Sequence, residues 1–80
     1  MTTVAIDGTA YGPALVTVER GSRVVFRNLD PFPHTATAPG RFDSRSIPAG
    51  AAWSWTAREP GRYDYVCTLH PTMRGTIVVR

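Results

Sequence analysis

Lysine is absent from this 80-residue chain, and cysteine occurs once. The lone cysteine, Cys67, excludes an internal disulfide. All nine basic residues are arginines (Arg20, Arg23, Arg27, Arg41, Arg45, Arg58, Arg62, Arg74 and Arg80), and they are spread along the chain instead of forming a basic run or helix face. The net charge of +3 therefore argues against nucleic acid as a partner and is compatible with steering an acidic protein. No apolar run is long enough to cross a bilayer, so no membrane span is expected. Met1 is followed by strand-like residues, not by a basic and then apolar leader, leaving a cytoplasmic chain or one written without its signal segment. Repeats, low-complexity tracts and linkers are also missing. One domain over residues 1–80 is expected, and a chain this short buries only roughly 60% of its unfolded surface. Without a disulfide, the candidate staple is a bound metal.

A helical period is missing as well, while turn signals and short alternating runs are frequent. Thr3–Ile6 reads as a strand closed by Asp7-Gly8. Ala14–Glu19, with Ala14, Val16 and Val18 on one face, and Arg23–Asn28 read as two strands that are neighbours or cross between sheets. Two prolines around Phe32 stiffen the approach to His34, and His34–Ala38 can form a short strand with His34, Ala36 and Ala38 on one side. Arg41–Ser46 reads as an irregular connection. In Ala51–Ala57 the alternation places Ala51, Trp53, Trp55 and Ala57 on one face, and two tryptophans there are core residues before they are a ligand platform. Tyr63, Tyr65 and Cys67 share the inward side of the next strand. The expected fold is all-β, a sandwich or barrel.

The densest chemistry lies in Cys67-Thr68-Leu69-His70-Pro71-Thr72-Met73, a loop between a strand at Arg62–Val66 and another at Gly75–Val79. Cysteine, histidine and methionine recur there at three-residue spacing, and the other histidine, His34, sits on an upstream proline-rich loop. Taken singly, a cysteine is a small buried hydrophobe, a methionine a gap-filler and a histidine a surface residue. Taken together, one thiolate, two imidazoles and a thioether are the donors of a His2Cys copper site with a weak axial methionine. Structural zinc sites use more cysteines or Cys2His2 and seldom methionine.

Gly61–Gly75 together with Phe32-Pro33-His34 resembles the cupredoxins, the small blue-copper proteins, and within them the amicyanin and plastocyanin branch. The two-residue spacing between His70 and Met73 matches the short amicyanin-like loop, and weaker similarity in Val16–Asn28 and Trp53–Gly61 extends the likeness over most of the chain. The resemblance implies a Greek-key β-sandwich holding one type 1 copper ion, with His34, Cys67 and His70 equatorial and Met73 axial. It implies an electron carrier and not an enzyme, cycling Cu(I)/Cu(II) and exchanging electrons through the outer edge of His70. A redox partner protein would dock at an apolar patch of Phe32, Pro33, Leu69, Pro71 and Thr72, in a weak, fast-dissociating contact. A monomer in the periplasm or another extracytoplasmic space is expected on the same ground.

Three differences from the family pattern carry consequences. Thr35 stands where asparagine often ties the two ligand loops together, and a hydroxyl is expected to make one such bond but not the whole amide pattern. Leu69 stands where close loops carry proline, which restores a backbone N–H near the thiolate. The chain is short for the family, so an N-terminal strand is expected to be missing and an edge open. Two alternatives to an electron carrier stay open at this point: a copper-binding or delivery domain, or an excised domain of a larger copper oxidase. Further off lie a metal-free interaction module and a Cys67 nucleophile, the latter without an accompanying oxyanion-hole motif.

Overall fold

The computed structural model describes all residues, 1–80. Its alternating β-branched and aromatic segments form β1 (Thr2–Asp7), β2 (Ala10–Gly12), β3 (Leu15–Val18), β4 (Arg23–Asn28), β5 (Thr37–Ala38), β6 (Phe42–Asp43), β7 (Ala52–Thr56), β8 (Gly61–Cys67) and β9 (His70–Val79), with no helix. They make a four-stranded sheet in the order β2-β1-β4-β7 and a five-stranded sheet in the order β3-β9-β8-β5-β6. The expected all-β sandwich is what the chain forms. β3 and β4 lie in different sheets, which resolves their relation as a crossing between sheets.

The two sheets close over a core to which the longer strands β1, β3, β4, β8 and β9 contribute alternate residues. Val4 and Ile6 of β1, Val16 and Val18 of β3, Val24 and Phe26 of β4, Tyr63, Tyr65 and Cys67 of β8, and Ile77 and Val79 of β9 are buried. Two parallel pairings tie distant segments together, β1 with β4 and β3 with β9.

Several expectations shift in detail. Ala14 is exposed, outside β3. The Arg41–Ser46 connection contains β6, whose Phe42 is buried among Phe26, Trp55 and Tyr63. His34 to Ala38 are all buried, so no single side holds the alternate residues. Only Thr37–Ala38 is strand, while His34 bridges Ile47. Trp53 and Trp55 are half-buried against the core because β7 is the outer strand of its sheet, with one flank open. β9 starts at His70 and pairs Cys67 with His70, so the expected seven-residue loop is a two-residue connection, Thr68-Leu69. That tight hairpin is what brings its ligand-type side chains together.

Candidate metal centre

Strand β8 delivers Cys67 to one end of the core, where its sulfur is fully buried, and a register shift at Val66/Cys67 turns the chain into β9. The upstream histidine arrives from a loop shaped by Asn28. The fully buried Asn28 amide donates to the carbonyls of Phe32 and Ile47, both at 2.9 Å, and its Oδ1 accepts the N–H of Asp30 at 2.9 Å. Residues 28–34 are thereby folded back so that the His34 ring, also fully buried, enters the sandwich end.

The Nδ1 atoms of His34 and His70 lie 3.7 and 3.9 Å from Cys67 Sγ. The donor atoms of these three residues all fall within 4.8 Å of one another. An ion held about 2.0 Å from imidazole nitrogen and about 2.3 Å from thiolate sulfur, with donors at trigonal angles, separates N and S by about 3.7 Å. The three side chains thus already stand at metal-binding separation. Met73 is buried in β9 three residues after His70 and carries a thioether. Two imidazoles, a thiolate and a thioether suit copper in both oxidation states.

A family model described as a cupredoxin-like domain matches residues 1–79. The chain belongs to the cupredoxin-like family. Amicyanin of Paracoccus versutus is 32% identical over 82 residues, which cover 95% of this chain and 62% of that protein. This cupredoxin therefore spans under two thirds of that relative's length. An amicyanin variant solved in its Cu(I) form superposes with a TM-score of 0.92 at 32% identity, covering 99% of this chain and 81% of that one. The copper-containing nitrite reductase of Thermus scotoductus gives 0.90 at 29% identity, covering 99% of this chain but only 22% of that one.

Burial alone would raise the Cys67 thiol, but the Thr35 N–H at 3.3 Å, both imidazoles and the Leu69 N–H outweigh it, bringing the group from 9.0 down to about 6. The apo cupredoxin accordingly carries a thiolate at neutral pH. Its folded value is depressed, so the stability it contributes is complete above the unfolded value of 9.0 and is lost as pH falls towards about 6. Thiolate absorbance of the apoprotein should titrate with a midpoint near 6; a midpoint above 8 would show that these donors do not reach the sulfur.

Thr35 does more than expected of a hydroxyl. Its Oγ1 accepts the Thr68 N–H at 2.9 Å and meets the hydroxyls of Thr68 and Thr37 at 3.3 and 3.1 Å, while its own N–H faces the sulfur. One residue ties the His34 segment to the Cys67–His70 turn. The Leu69 N–H is among the groups that lower the Cys67 thiol, in keeping with the missing proline.

Around the centre, the Phe32 ring packs edge-on to His34 and tilted on His70, with centroids 5.2 and 5.8 Å away. Phe32, Pro33, Leu69, Pro71 and Thr72 are exposed and His70 is half-buried, whereas His34 is sealed inside. Leu29, 55% exposed, is a further apolar side chain that the sequence reading left out. Other residues missed from sequence are Asn28 and Asp30, and Tyr11, whose hydroxyl donates to the Thr35 carbonyl. Tyr11 belongs to β2, a strand too short to register as alternation.

Proposed function

We propose that this cupredoxin is a one-electron carrier whose type 1 copper is held by His34, Cys67 and His70 as equatorial ligands and by Met73 as the axial one. The observation that carries the reading is the pair of imidazole Nδ1 atoms at 3.7 and 3.9 Å from a buried cysteine sulfur. Bound copper supplies a Cu(I)/Cu(II) couple; the chain supplies fixed donors, so that a change of metal charge needs little movement of the protein. Electrons enter and leave at the half-buried edge of His70, since His34 is sealed. The apolar surface of Phe32, Pro33, Leu69, Pro71 and Thr72, extended by Leu29, is the docking face for a redox partner protein. The reading includes residues 1–80 acting as one monomeric domain in the periplasm or another extracytoplasmic space, as family membership supports.

It also holds that the chain is not an enzyme. With two histidines in the sequence, both assigned to one centre, none is left to build a second, substrate-binding copper site. The nitrite reductase likeness, confined to 22% of that protein, favours one alternative: the electron-accepting domain of a larger copper enzyme. Titrating the apoprotein with Cu(II) tests the central reading. An intense thiolate-to-copper band saturating at one copper per chain, absent in Cys67→Ala, is the expected result. Weak, featureless spectra in both proteins would overturn it.

The Leu69 N–H gives a further expectation. A hydrogen bond to the thiolate weakens its donation and favours Cu(I), so Leu69→Pro should lower the midpoint potential while keeping the blue band. One net bond of about 1 kcal/mol corresponds to on the order of 40 mV for a one-electron couple. Voltammetry giving equal potentials would remove that N–H from the tuning of the site.

A further inference from the structure

Asp30 is no part of the ligand set, yet its carboxylate collects more hydrogen bonds than any other in the protein. It is 6% exposed. One oxygen accepts the Gly8 N–H at 2.7 Å, and the other accepts the Thr9 N–H at 2.9 Å and lies 2.7 Å from His34 Nε2. Both carboxylate oxygens thus accept backbone N–H groups, which makes Asp30 the acceptor and His34 the donor in the third bond. Nε2 of His34 therefore carries a hydrogen, and Nδ1 of the same ring faces Cys67 Sγ.

The other side of Asp30 is equally specific. Gly8 and Thr9 connect β1 to β2 as a two-residue turn with φ of 61° and 57°, and Asp7 pairs with Ala10 across it. A β-branched threonine is strained in the left-handed region. The strained turn aims two successive N–H groups at one carboxylate, and that carboxylate is 22 residues away from Gly8 in sequence. Strain of this kind persists where surrounding contacts over-determine it.

We propose that Asp30 is a positioning residue of the metal centre, fixing His34 through its Nε2–H while the β1–β2 turn anchors the carboxylate from behind. This rests on the copper reading above. A carboxylate on the far side of a ligating imidazole makes the ring a stronger donor and favours the more highly charged metal. Asparagine at this position keeps the shape but loses the charge, and its amide N–H groups must face either the turn donors or His34.

Two measurements on the full chain test the proposal. Nitrogen NMR of the metal-free wild type should find a proton on His34 Nε2, exchanging slowly with water. Voltammetry of the copper-loaded proteins should place Asp30→Asn above wild type by 59 mV or more, which is a tenfold loss of Cu(II) relative to Cu(I) binding. A rapidly exchanging proton on His34 Nε2, or an Nε2 without one, would overturn the proposal even if the variant fails to fold. Equal potentials in the two loaded proteins would overturn it as well, since packing alone does not move the couple. Wild-type protein that took up no copper would be a different failure, sinking the copper reading and with it the metal role of Asp30, because the NMR result is read without metal.

Discussion

Gly75→Ala should destabilise the metal-free protein by about 3 kcal/mol or more, at the upper end for overpacking a core. Gly75 is the cross-strand partner of Tyr65, and the Tyr65 ring lies where a side chain at 75 would be. A Cβ there would meet Tyr65 Cζ, an overlap no ordinary contact tolerates. The ring has no room to retreat, because Tyr11, Phe26 and Phe42 stand with their centroids 4.7, 5.3 and 6.1 Å from it. For a chain of this size the whole stability is about 4–12 kcal/mol, and each kcal/mol moves the melting temperature by about 4–8 °C. Urea or thermal unfolding measures the loss. Tyr65→Leu in the Gly75→Ala background should recover part of it, and strictly additive effects would show that the overlap is not the cause. Tyr65→Phe alone should cost little, since the buried Tyr65 hydroxyl has no hydrogen-bond partner to lose.

Copper itself should act as the staple that a disulfide-free domain of this size lacks. At free metal a thousandfold above its dissociation constant, binding to the folded state alone contributes about 4 kcal/mol, which raises the melting temperature by about 15–30 °C. The donors are gathered before any ion arrives, by the Thr35 links to Thr68 and the sulfur and by the Asp30 bond to His34, so little ordering cost is set against binding. Differential scanning calorimetry without copper and with copper at that free concentration measures the rise, and a chelator should return the curve to the apo position. Cys67→Ala should show most of the increment gone. Coincident curves for loaded and apo wild type would mean that the metal adds nothing to stability.

The clustering of His34, Cys67 and His70 was legible because these residues are chemically uncommon and mostly local: Cys67 and His70 fall on one short segment with Met73, and His34 is the only other histidine. The sandwich was legible where side chains alternate over several residues, as in Arg23–Asn28 and Gly61–Cys67. What supports the site was not. Asp30 looks like any polar turn residue beside a proline, and its partners Gly8 and Thr9 are brought to it by the parallel pairing of β1 and β4, which no local pattern encodes. β2 and β6 are three and two residues long, too short for a period to show, though Tyr11 and Phe42 within them are core. The start of β9 at His70 escaped notice because Pro71 and the polar Thr72 read as loop, while pairing with β8 decides the matter.

The pairing of β3 with β9 joins Val18 to Val79, and the Arg80 side chain reaches Glu19, so the edge of one sheet is finished only when segments 61 residues apart have met. Contacts of such sequence separation make folding slow, in the millisecond-to-second range for all-β domains. During that interval Cys67, His70 and Met73 are already neighbours along the chain, whereas His34 is 33 residues from the cysteine. A nascent or unfolded chain therefore offers a metal three of the donors at once. Docking of His34 is the step that separates a loosely held ion from a finished centre, and the order in which metal and fold arrive becomes a matter of rates.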